Sequence, residues 1–306
     1  LNVLSNNSTM FIAFNKTMSN DLGISNQYQT VLDGNWTIDL MHQNSKAATK
    51  DLNGDGKIDD TDQLGTVSWY KSMYGLYAST GSRSFTKDAN DLPVNNMDAG
   101  PQQLAILQDV YEFLTDKSST VLAEDYLAKY PSDPWTPIDI DAFGSGRALY
   151  SLCASELITK LRDADADFGL LPLPKHDTNQ KEYYNTLDYN SAETIAVPTT
   201  NPDPTMTGTV LQAMALASTN TVRPAYYDVL LKTKYARDND SANMLDIMFK
   251  NRIVDLGVMF NWGGCADFYD NLCQSKSFNY ASAYAGISSK INTDMQKAIT
   301  AFTAAS

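Results

Sequence analysis

The sequence predicts an α/β fold with a largely parallel sheet. Two kinds of segment support this prediction: short apolar runs with the composition of strands, and longer stretches in which apolar residues recur at helical spacing. Strands separated by helical patterns are typical of α/β proteins, because each helix returns the chain to the edge at which the next parallel strand begins. With 306 residues, 43% of them hydrophobic, the chain can form one large or two ordinary domains.

Three short runs are predicted to be strands. Ser8–Asn15, STMFIAFN, mixes β-branched and aromatic residues. Phe168–Pro174, FGLLPLP, and Glu193–Pro198, ETIAVP, are apolar, and each ends in proline. Proline lacks the backbone N–H that a sheet requires, so we expect each of these two strands to end there.

Four stripes of apolar residues have the spacing of helices, and we expect each to face a core. The stripes are Leu104, Leu107, Tyr111 and Leu114; Leu149, Leu152, Cys153, Leu157 and Leu161; Met244, Leu245, Met248 and Phe249; and Ile287, Ile291, Met295 and Ile299.

The charge of the chain argues against two classes of partner. Lys and Arg total 23 against 36 Asp and Glu, so the formal net charge is −13. This field repels phosphate backbones and anionic lipids, so we expect neither nucleic acid nor a membrane surface as a partner. The odd number of cysteines argues against a disulfide scaffold, although Cys265 and Cys273 remain a possible pair.

The segment DLNGDGKIDDTD has the spacing of an EF-hand calcium loop. Oxygen donors stand at loop positions 1, 3, 5, 7, 9 and 12, which are Asp51, Asn53, Asp55, the Lys57 carbonyl, Asp59 and Asp62. Gly56 permits the sharp turn at position 6, and Ile58 can anchor the loop inward. Asp62 replaces the usual glutamate with a shorter side chain. We expect a structural Ca²⁺ here, in preference to Mg²⁺; the alternative is a solvated acidic turn.

The sequence offers few signs of catalysis and several of ligand binding. The two histidines have no metal-ligand spacing, and nucleophile elbows, phosphate-binding loops and CxxC pairs are missing. Aromatic residues stand in polar surroundings in the segments SWYKSMYGLY, NTLDYNS and FNWGG. Such side chains can pack on the apolar faces of sugar rings, although each could equally be an aromatic residue of the core.

The order of several segments resembles the extracellular solute-binding proteins of carbohydrate ABC importers. These segments are FNKTMSNDLG, GNWTIDL, FGSGRALYSL, FGLLPLPKHD, ETIAVP and YYDVLLKTKYARDNDSANMLDIMFKNRIVDLG. The resemblance implies a periplasmic-binding-protein-like architecture in which two α/β lobes close on a sugar and deliver it to ABC transporter permease subunits. It further implies a monomer outside the cell, either periplasmic or a cell-surface lipoprotein.

The resemblance also implies a division of the chain and a set of ligand contacts. The FNK segment in this family follows a long N-terminal portion, so we expect a chain that mainly comprises the second lobe. Residues 1–198 would form that lobe, 199–221 would belong to the first lobe, and 222–306 would return to the second with C-terminal helices. The predicted sugar contacts are Trp69, Tyr70, Asp188, Tyr189 and Trp262. Trp36 is expected to pack at a helix start, and Trp135 to anchor a loop.

Two other functions remain open from the sequence. A carbohydrate-active enzyme such as a glycoside hydrolase is the main alternative, because an acidic chain contains many pairs of carboxylates. A dockerin-like, calcium-dependent interaction module is the second, but it would need another calcium loop. The nearest candidate, Asp163–Gly169, places glycine at position 7 rather than 6 and runs into a predicted strand.

Overall fold

The computed structural model describes residues 8–154, 160–161, 166–191, 195–226, 238–275 and 277–305. Its central feature is a five-stranded sheet with the strand order β5-β2-β6-β1-β7. The strands are β1 (Met10–Asn15), β2 (Leu64–Ser68), β5 (Thr120–Leu122), β6 (Ala148–Ala154) and β7 (Phe168–Leu171). Strand β2 runs parallel to β5 and β6, whereas β1 is antiparallel to both β6 and β7.

Two small sheets accompany the main one. Strands β3 (Phe85–Lys87) and β4 (Pro93–Asn95) pair antiparallel, and β8 (Asn185–Thr186) and β9 (Arg252–Ile253) pair parallel.

The helices cover the main sheet and form the C-terminal region. They are α1 (Lys16–Asp21), α2 (Gln27–Leu32), α3 (Ile38–Ala48), α4 (Ser72–Ser79), α5 (Pro101–Thr115), α6 (Pro204–Asn220), α7 (Asn239–Lys250), α8 (Cys265–Gln274) and α9 (Tyr280–Ala305). Helix α3 packs on β2 and β6, and α7 packs on β7. Short helical turns occupy Ala123–Tyr126, Thr136–Asp141, Ala142–Gly144, Val222–Pro224, Leu256–Met259 and Trp262–Gly264.

The helix starts follow from local sequence. Asn15, Asn26, Thr37 and Asp238 each accept a backbone N–H of the first turn that they precede, which satisfies a donor that the helix leaves unpaired. Trp36 lies just before α3 and is fully buried, and its Nε1 donates to the Pro172 carbonyl at 2.9 Å. Its expected packing at a helix start is therefore confirmed.

Several predicted elements are confirmed and two are wrong. Strands β1 and β7 and helices α5, α7 and α9 lie where the sequence predicts them. The stripe beginning at Leu149 is not helical, because Ala148–Ala154 forms β6; Leu157 lies outside the described residues. Residues 195–198 form no strand, and Glu193 and Thr194 also lie outside the described residues. The sheet is mixed, because two of its four strand pairings are antiparallel.

Most of the described buried apolar side chains form one core on both sides of the sheet. All six residues of β1 and all five of β2 are buried, as expected for strands covered on both faces. Cys265 and Cys273 are buried free thiols, so the possible disulfide between them is absent. Helix α6, by contrast, has no buried residue. Among the described residues, no helix combines the length and hydropathy needed to cross a membrane.

Candidate functional site

Four of the five predicted sugar contacts lie near the carboxyl ends of β2 and β8. Trp69 and Tyr70 follow β2 directly, and Asp188 and Tyr189 come two and three residues after β8. Ligands of open α/β sheets bind outside the carboxyl ends of the strands, because the loops there converge on one crevice.

Lys71 connects three of these residues. Its Nζ lies 5.5 Å from the centre of the Trp69 ring and 5.7 Å from that of Tyr189. The same atom is 3.8 Å from Oδ1 of Asp188, a carboxylate whose side chain is only 3% exposed. The Asn190 N–H and the Ser191 hydroxyl donate to this carboxylate. Two aromatic rings and a buried carboxylate therefore surround one ammonium group.

Tyr70, next to Lys71 in the chain, bonds to two carboxylates that follow β5. Its N–H donates to Glu124 Oε2 at 3.0 Å, and its hydroxyl donates to Asp125 Oδ1 at 2.8 Å. The indole N–H of the exposed Trp135 donates to the other oxygen of Glu124 at 3.3 Å. Burial raises the pKa of Glu124, while its hydrogen bonds and the charge of Lys71 oppose this rise.

Tyr189 is fixed from the side of α8. Its hydroxyl lies 3.2 and 3.3 Å from the two oxygens of Asp270 and donates to that carboxylate. Burial raises the pKa of Asp270 to about 7, while the charge of Lys71 and the bond from Tyr189 lower it. The ring of Tyr189 also meets that of Tyr74 edge-on, at a centroid distance of 6.4 Å.

Trp69 has a donor without an acceptor. Its side chain is 9% exposed, and its Nε1 has no hydrogen-bond partner among the described residues. Buried polar atoms are usually paired, because leaving one unpaired costs about 1–3 kcal/mol. A buried indole N–H that has no acceptor in the described part of the chain is free to donate to a ligand oxygen.

The fifth predicted contact, Trp262, lies in a different aromatic cluster. Its ring stacks on Phe260 at 5.8 Å and meets Phe85 edge-on at 5.3 Å. Only 6% of its side chain is exposed, and no described contact joins it to Trp69 or Tyr189. Its role as a sugar contact stays a prediction.

Sequence reasoning missed four members of the site: Lys71, Glu124, Trp135 and Asp270. Lys71 stands in the aromatic segment that was singled out, so its position beside Trp69 was a usable signal. Glu124 follows β5, a strand of three residues that is too short for a clear pattern. Trp135 was predicted to anchor a loop, and its bond to Glu124 agrees with an anchoring role at the edge of the site.

The acidic loop, residues 51–62, has a backbone shaped by its own side-chain oxygens. Asp51 accepts the N–H groups of Gly54 and Gly56 at 2.6 and 2.8 Å, and these bonds lower its pKa. Asn53 and Asp55 each accept the N–H two residues later. Gly54 and Gly56 have φ values of 76° and 79°, which glycine adopts without strain.

The predicted calcium donors fit a cation only in part in this arrangement. Their oxygens face loop N–H groups, and no group of three or more Asp, Glu, His or Cys side chains in the described part of the chain is gathered for a metal. However, a carboxylate has about four lone-pair sites, so an oxygen that accepts an N–H can still ligate a cation. The donor types, hard oxygens with glycine at the sharp turn, are those that Ca²⁺ prefers.

The acidic loop is attached firmly to the scaffold. Lys50 and Gln63, on either side of it, form an antiparallel bridge with N–H to O distances of 2.9 and 3.1 Å. Asp62 is fully buried, and its two oxygens accept the N–H groups of Leu52 and Asp59. Asp60, which is not a predicted ligand, instead binds the side chains of Lys129 and Tyr130. Since β2 begins at Leu64, the acidic loop leads directly into the strand that positions Trp69.

A scan of known protein families and a search of curated proteins gave no match to this chain. Solved structures with the same fold do match. RafE of Streptococcus pneumoniae aligns with a TM-score of 0.56 and 14% identity, over 95% of this chain and 71% of RafE.

Two further matches extend the comparison. Lmo0181, an ABC substrate-binding protein of Listeria monocytogenes in complex with cycloalternan, aligns with a TM-score of 0.58 and 11% identity, over 94% of this chain and 70% of its own. UgpB of Mycobacterium tuberculosis, in complex with glycerophosphocholine, aligns with a TM-score of 0.60 and 14% identity. The alignment covers 95% of this chain and 69% of UgpB. The chain thus has the α/β fold of the solute-binding proteins of ABC transporters, including its helical C-terminal region.

Proposed function

We propose that this protein is a non-catalytic receptor that captures a sugar or oligosaccharide outside the cell and passes it to an ABC importer. The observation that carries the proposal is the grouping of Trp69, Asp188 and Tyr189 around Lys71, next to Tyr70, where β2 of the main sheet and β8 of a small sheet end. The ligands named for proteins of the same fold, among them cycloalternan, raffinose and maltotriose, support a carbohydrate.

The groups at the site match the chemistry of a sugar. The faces of Trp69 and Tyr189 can pack on the apolar face of a pyranose ring. Asp188 and Asp270 offer acceptors for hydroxyl groups, and the Trp69 N–H offers a donor. Few polar groups among larger apolar surfaces are typical of a small-molecule site, because the polar groups fix orientation while burial supplies affinity.

The carboxyl groups with raised pKa values have partners that hold them in place. Both oxygens of Glu124 accept hydrogen bonds, from the Tyr70 N–H and the Trp135 indole, and Asp270 accepts the Tyr189 hydroxyl. A glycosidase acid would have to present its proton to the ligand instead. These contacts favour positioning of the aromatic rings over acid catalysis.

Titration calorimetry with raffinose, maltotriose, maltotetraose and cycloalternan tests the proposal. We expect saturable binding of at least one sugar, a higher melting temperature in its presence, and no product. Release of smaller sugars would favour a glycoside hydrolase, whereas failure of the whole panel to bind would contradict the proposed function.

A pair of tryptophan variants then locates the site. Trp69→Phe keeps an aromatic ring but removes the unpaired N–H, so we expect affinity to fall by about tenfold, the value of one good hydrogen bond. Trp36→Phe is the matched control: its N–H is already bound to Pro172, so stability should fall while affinity stays unchanged. Equal losses of affinity in the two variants would contradict a sugar site at Trp69. Trp262→Phe, measured in the same way, tests the fifth predicted contact.

We also propose that the acidic loop holds a structural Ca²⁺ through Asp51, Asn53, Asp55, the Lys57 carbonyl, Asp59 and Asp62. Two features support the proposal. The aspartates lie close together and would be neutralised by a cation, and glycine stands at the two turn positions. The cation would fix the connection into β2, which carries Trp69. A metal that binds only the folded state stabilises it by mass action.

Chelation tests the calcium proposal. We expect EGTA to lower the melting temperature, and Asp55→Ala to abolish the part that depends on calcium. Asp60→Ala is the control within the same loop: it removes the contacts to Lys129 and Tyr130, so it should lower the melting temperature equally with and without calcium. An identical melting curve in EGTA and in calcium would refute the proposal.

The division into lobes and the setting of the receptor are part of the same proposal. Residues 199–221 would belong to the first lobe, and the lack of any buried residue on α6 supports this, because a helix with apolar side chains normally packs on another element. The partners would be ABC transporter permease subunits, the receptor would act as a monomer, and its location would be periplasmic or at the cell surface through a lipid anchor.

A further inference from the structure

The ammonium group of Lys71 occupies a small cage. Trp69 and Tyr189 place their rings 5.5 and 5.7 Å from it, within the range of about 6 Å at which a cation is attracted to an aromatic face. Asp188 completes the cage with an oxygen at 3.8 Å. Aromatic rings combined with a carboxylate are the arrangement by which proteins recognise organic cations.

The cage is built from groups that other contacts hold in position. The Ser191 hydroxyl and the Asn190 N–H fix Asp188, and Asp270 fixes the hydroxyl of Tyr189. Lys71 itself directly precedes α4, so its backbone is set by the first turn of that helix. Removal of the lysine side chain would therefore leave the rings and the buried carboxylate in place.

Several carboxyl groups surround this cage. Asp188 contacts Lys71, while Glu124 and Asp270 lie within reach of its field. The buried Asp188 carboxylate compensates the charge of the Lys71 ammonium group, so that group is not left to attract a negative ligand. The charged fractions of Glu124 and Asp270 add repulsion, because charges in a partly buried site are weakly screened.

We propose that Lys71 sets the charge class of the ligand: its ammonium group fills a cation cage made by Trp69, Tyr189 and Asp188, so the site takes uncharged sugars, whereas its loss opens the cage to an organic cation. The charge-class statement rests on the proposed sugar-binding function. The cage itself does not.

Chemical rescue of Lys71→Ala by propylammonium tests the cage without any sugar. The variant leaves Asp188 buried without its cation, so we expect a lower melting temperature than in the wild type. Propylammonium chloride should then raise that melting temperature by about 2–4 °C more than sodium chloride does at the same concentration. No excess effect of propylammonium would overturn the proposal.

Two controls separate the cage from general salt effects. Lys71→Met fills the same space without charge, so propylammonium should not rescue it. Lys87→Ala removes an exposed lysine that pairs with Asp91, and it should show no rescue either. Equal rescue in all three variants would overturn the proposal.

A measurement on the wild-type protein guards against misfolding of the variants. Ring currents of Trp69 and Tyr189 should shift the Hε resonances of Lys71 upfield, and Trp69→Ala should remove most of this shift. Lys71 Hε resonances at the position of an exposed lysine would overturn the cage.

The charge class is measured with matched sugars that differ only at C6: glucose against glucuronate, and maltotriose against the trisaccharide in which one C6 hydroxymethyl group is oxidised to a carboxylate. We expect the wild type to bind the acid at least about tenfold more weakly than the neutral sugar. Tighter binding of either acid would overturn the charge-class statement. If no sugar binds at all, the proposed function fails, whereas the rescue experiment still decides whether the cage exists.

Discussion

Asp139 is a carboxyl group buried in the core with one oxygen left unpaired. It belongs to the π-helical turn Thr136–Asp141 and is 1% exposed. The Ser151 hydroxyl donates to Oδ1 at 2.6 Å, but Oδ2 has no partner among the described residues. Burial raises the pKa of Asp139 to about 7, because the charged form is poorly solvated there.

This raised pKa predicts that the contribution of Asp139 to stability is lost as the pH rises from about 4 to about 7. The folded state holds the Asp139 proton more tightly than the unfolded state, so the contribution is complete below the ordinary pKa of 3.8 and is lost through pH 7. Burial also raises the pKa of Asp270, so its contribution to stability is likewise lost as the pH rises.

We expect Asp139→Asn to reduce the loss of unfolding free energy between pH 4 and pH 8 by roughly 1–3 kcal/mol. Urea denaturation at a series of pH values measures this slope. Asp91→Asn, at an exposed position, is the control and should keep the wild-type slope. If Asp139→Asn keeps the full wild-type slope, Asp139 does not cause this part of the pH dependence.

The residues of the site were predictable to different degrees. Trp69, Tyr70, Asp188 and Tyr189 could be proposed because aromatic and acidic side chains in polar segments suit a sugar site, although the same aromatic residues could equally belong to the core. Glu124 and Asp270 could not be proposed, because an acidic chain offers 36 Asp and Glu, and only the tertiary fold selects two of them. Lys71 was visible in the sequence, but its contact with Tyr189 joins residues 118 positions apart.

At the level of secondary structure, β6 shows where periodicity fails. Its residues Leu149, Tyr150 and Leu152 are all fully buried, because the strand lies in the middle of the sheet with helices on both faces. A strand buried on both sides has no alternation of polar and apolar residues, and its apolar run can equally satisfy a helical spacing. Strand β1 was predictable because its segment mixes β-branched and aromatic residues. Strand β7 was predictable because a proline closely follows its short apolar run.

Gly169 in β7 is predicted to tolerate no side chain. A Cβ atom there would lie 2.0 Å from the Tyr28 hydroxyl and 2.4 Å from the Phe14 ring. The Tyr28 hydroxyl cannot easily move, because it bonds to Asp238 and Ser241 and so joins α2 to α7. We expect Gly169→Ala to lower the unfolding free energy by about 1–3 kcal/mol, measured by urea denaturation.

Gly286→Ala is the matched control for this prediction. It lies on the exposed side of α9 with no atom within 4 Å of an added Cβ, so alanine should leave stability unchanged or raise it by up to about 1 kcal/mol. Similar losses in both variants would show that the close packing at Gly169 is not the cause.

For the whole molecule, the sequence predicted the class of fold but not the arrangement of its strands. Strand order depends on contacts between distant residues, such as the pairing of Phe14 with Tyr150, and local patterns carry no information about them. The antiparallel β1 between β6 and β7 was unpredictable for this reason. The calcium site of the acidic loop stays a prediction; the sequence could suggest it because all of its donors lie within twelve consecutive residues.

Helix α6 has a consequence for the dynamics of the molecule. Its apolar residues Met206, Val210 and Met214 are spaced by four, yet each is at least 50% exposed. An isolated helix of this length is marginally stable in water, because packing supplies most of the stability of helices in proteins. We therefore expect α6 to unfold locally while the main sheet stays intact.

Amide hydrogen exchange followed by mass spectrometry measures this directly. Amides of α6 should exchange through a local opening of low free energy, whereas those of β1, which is fully buried, should require global unfolding. Amides of α6 that exchange as slowly as those of β1 would contradict the expectation. The same experiment then offers an assay for any partner of α6, since a surface that covers the helix must slow its exchange before it changes any other property of the chain.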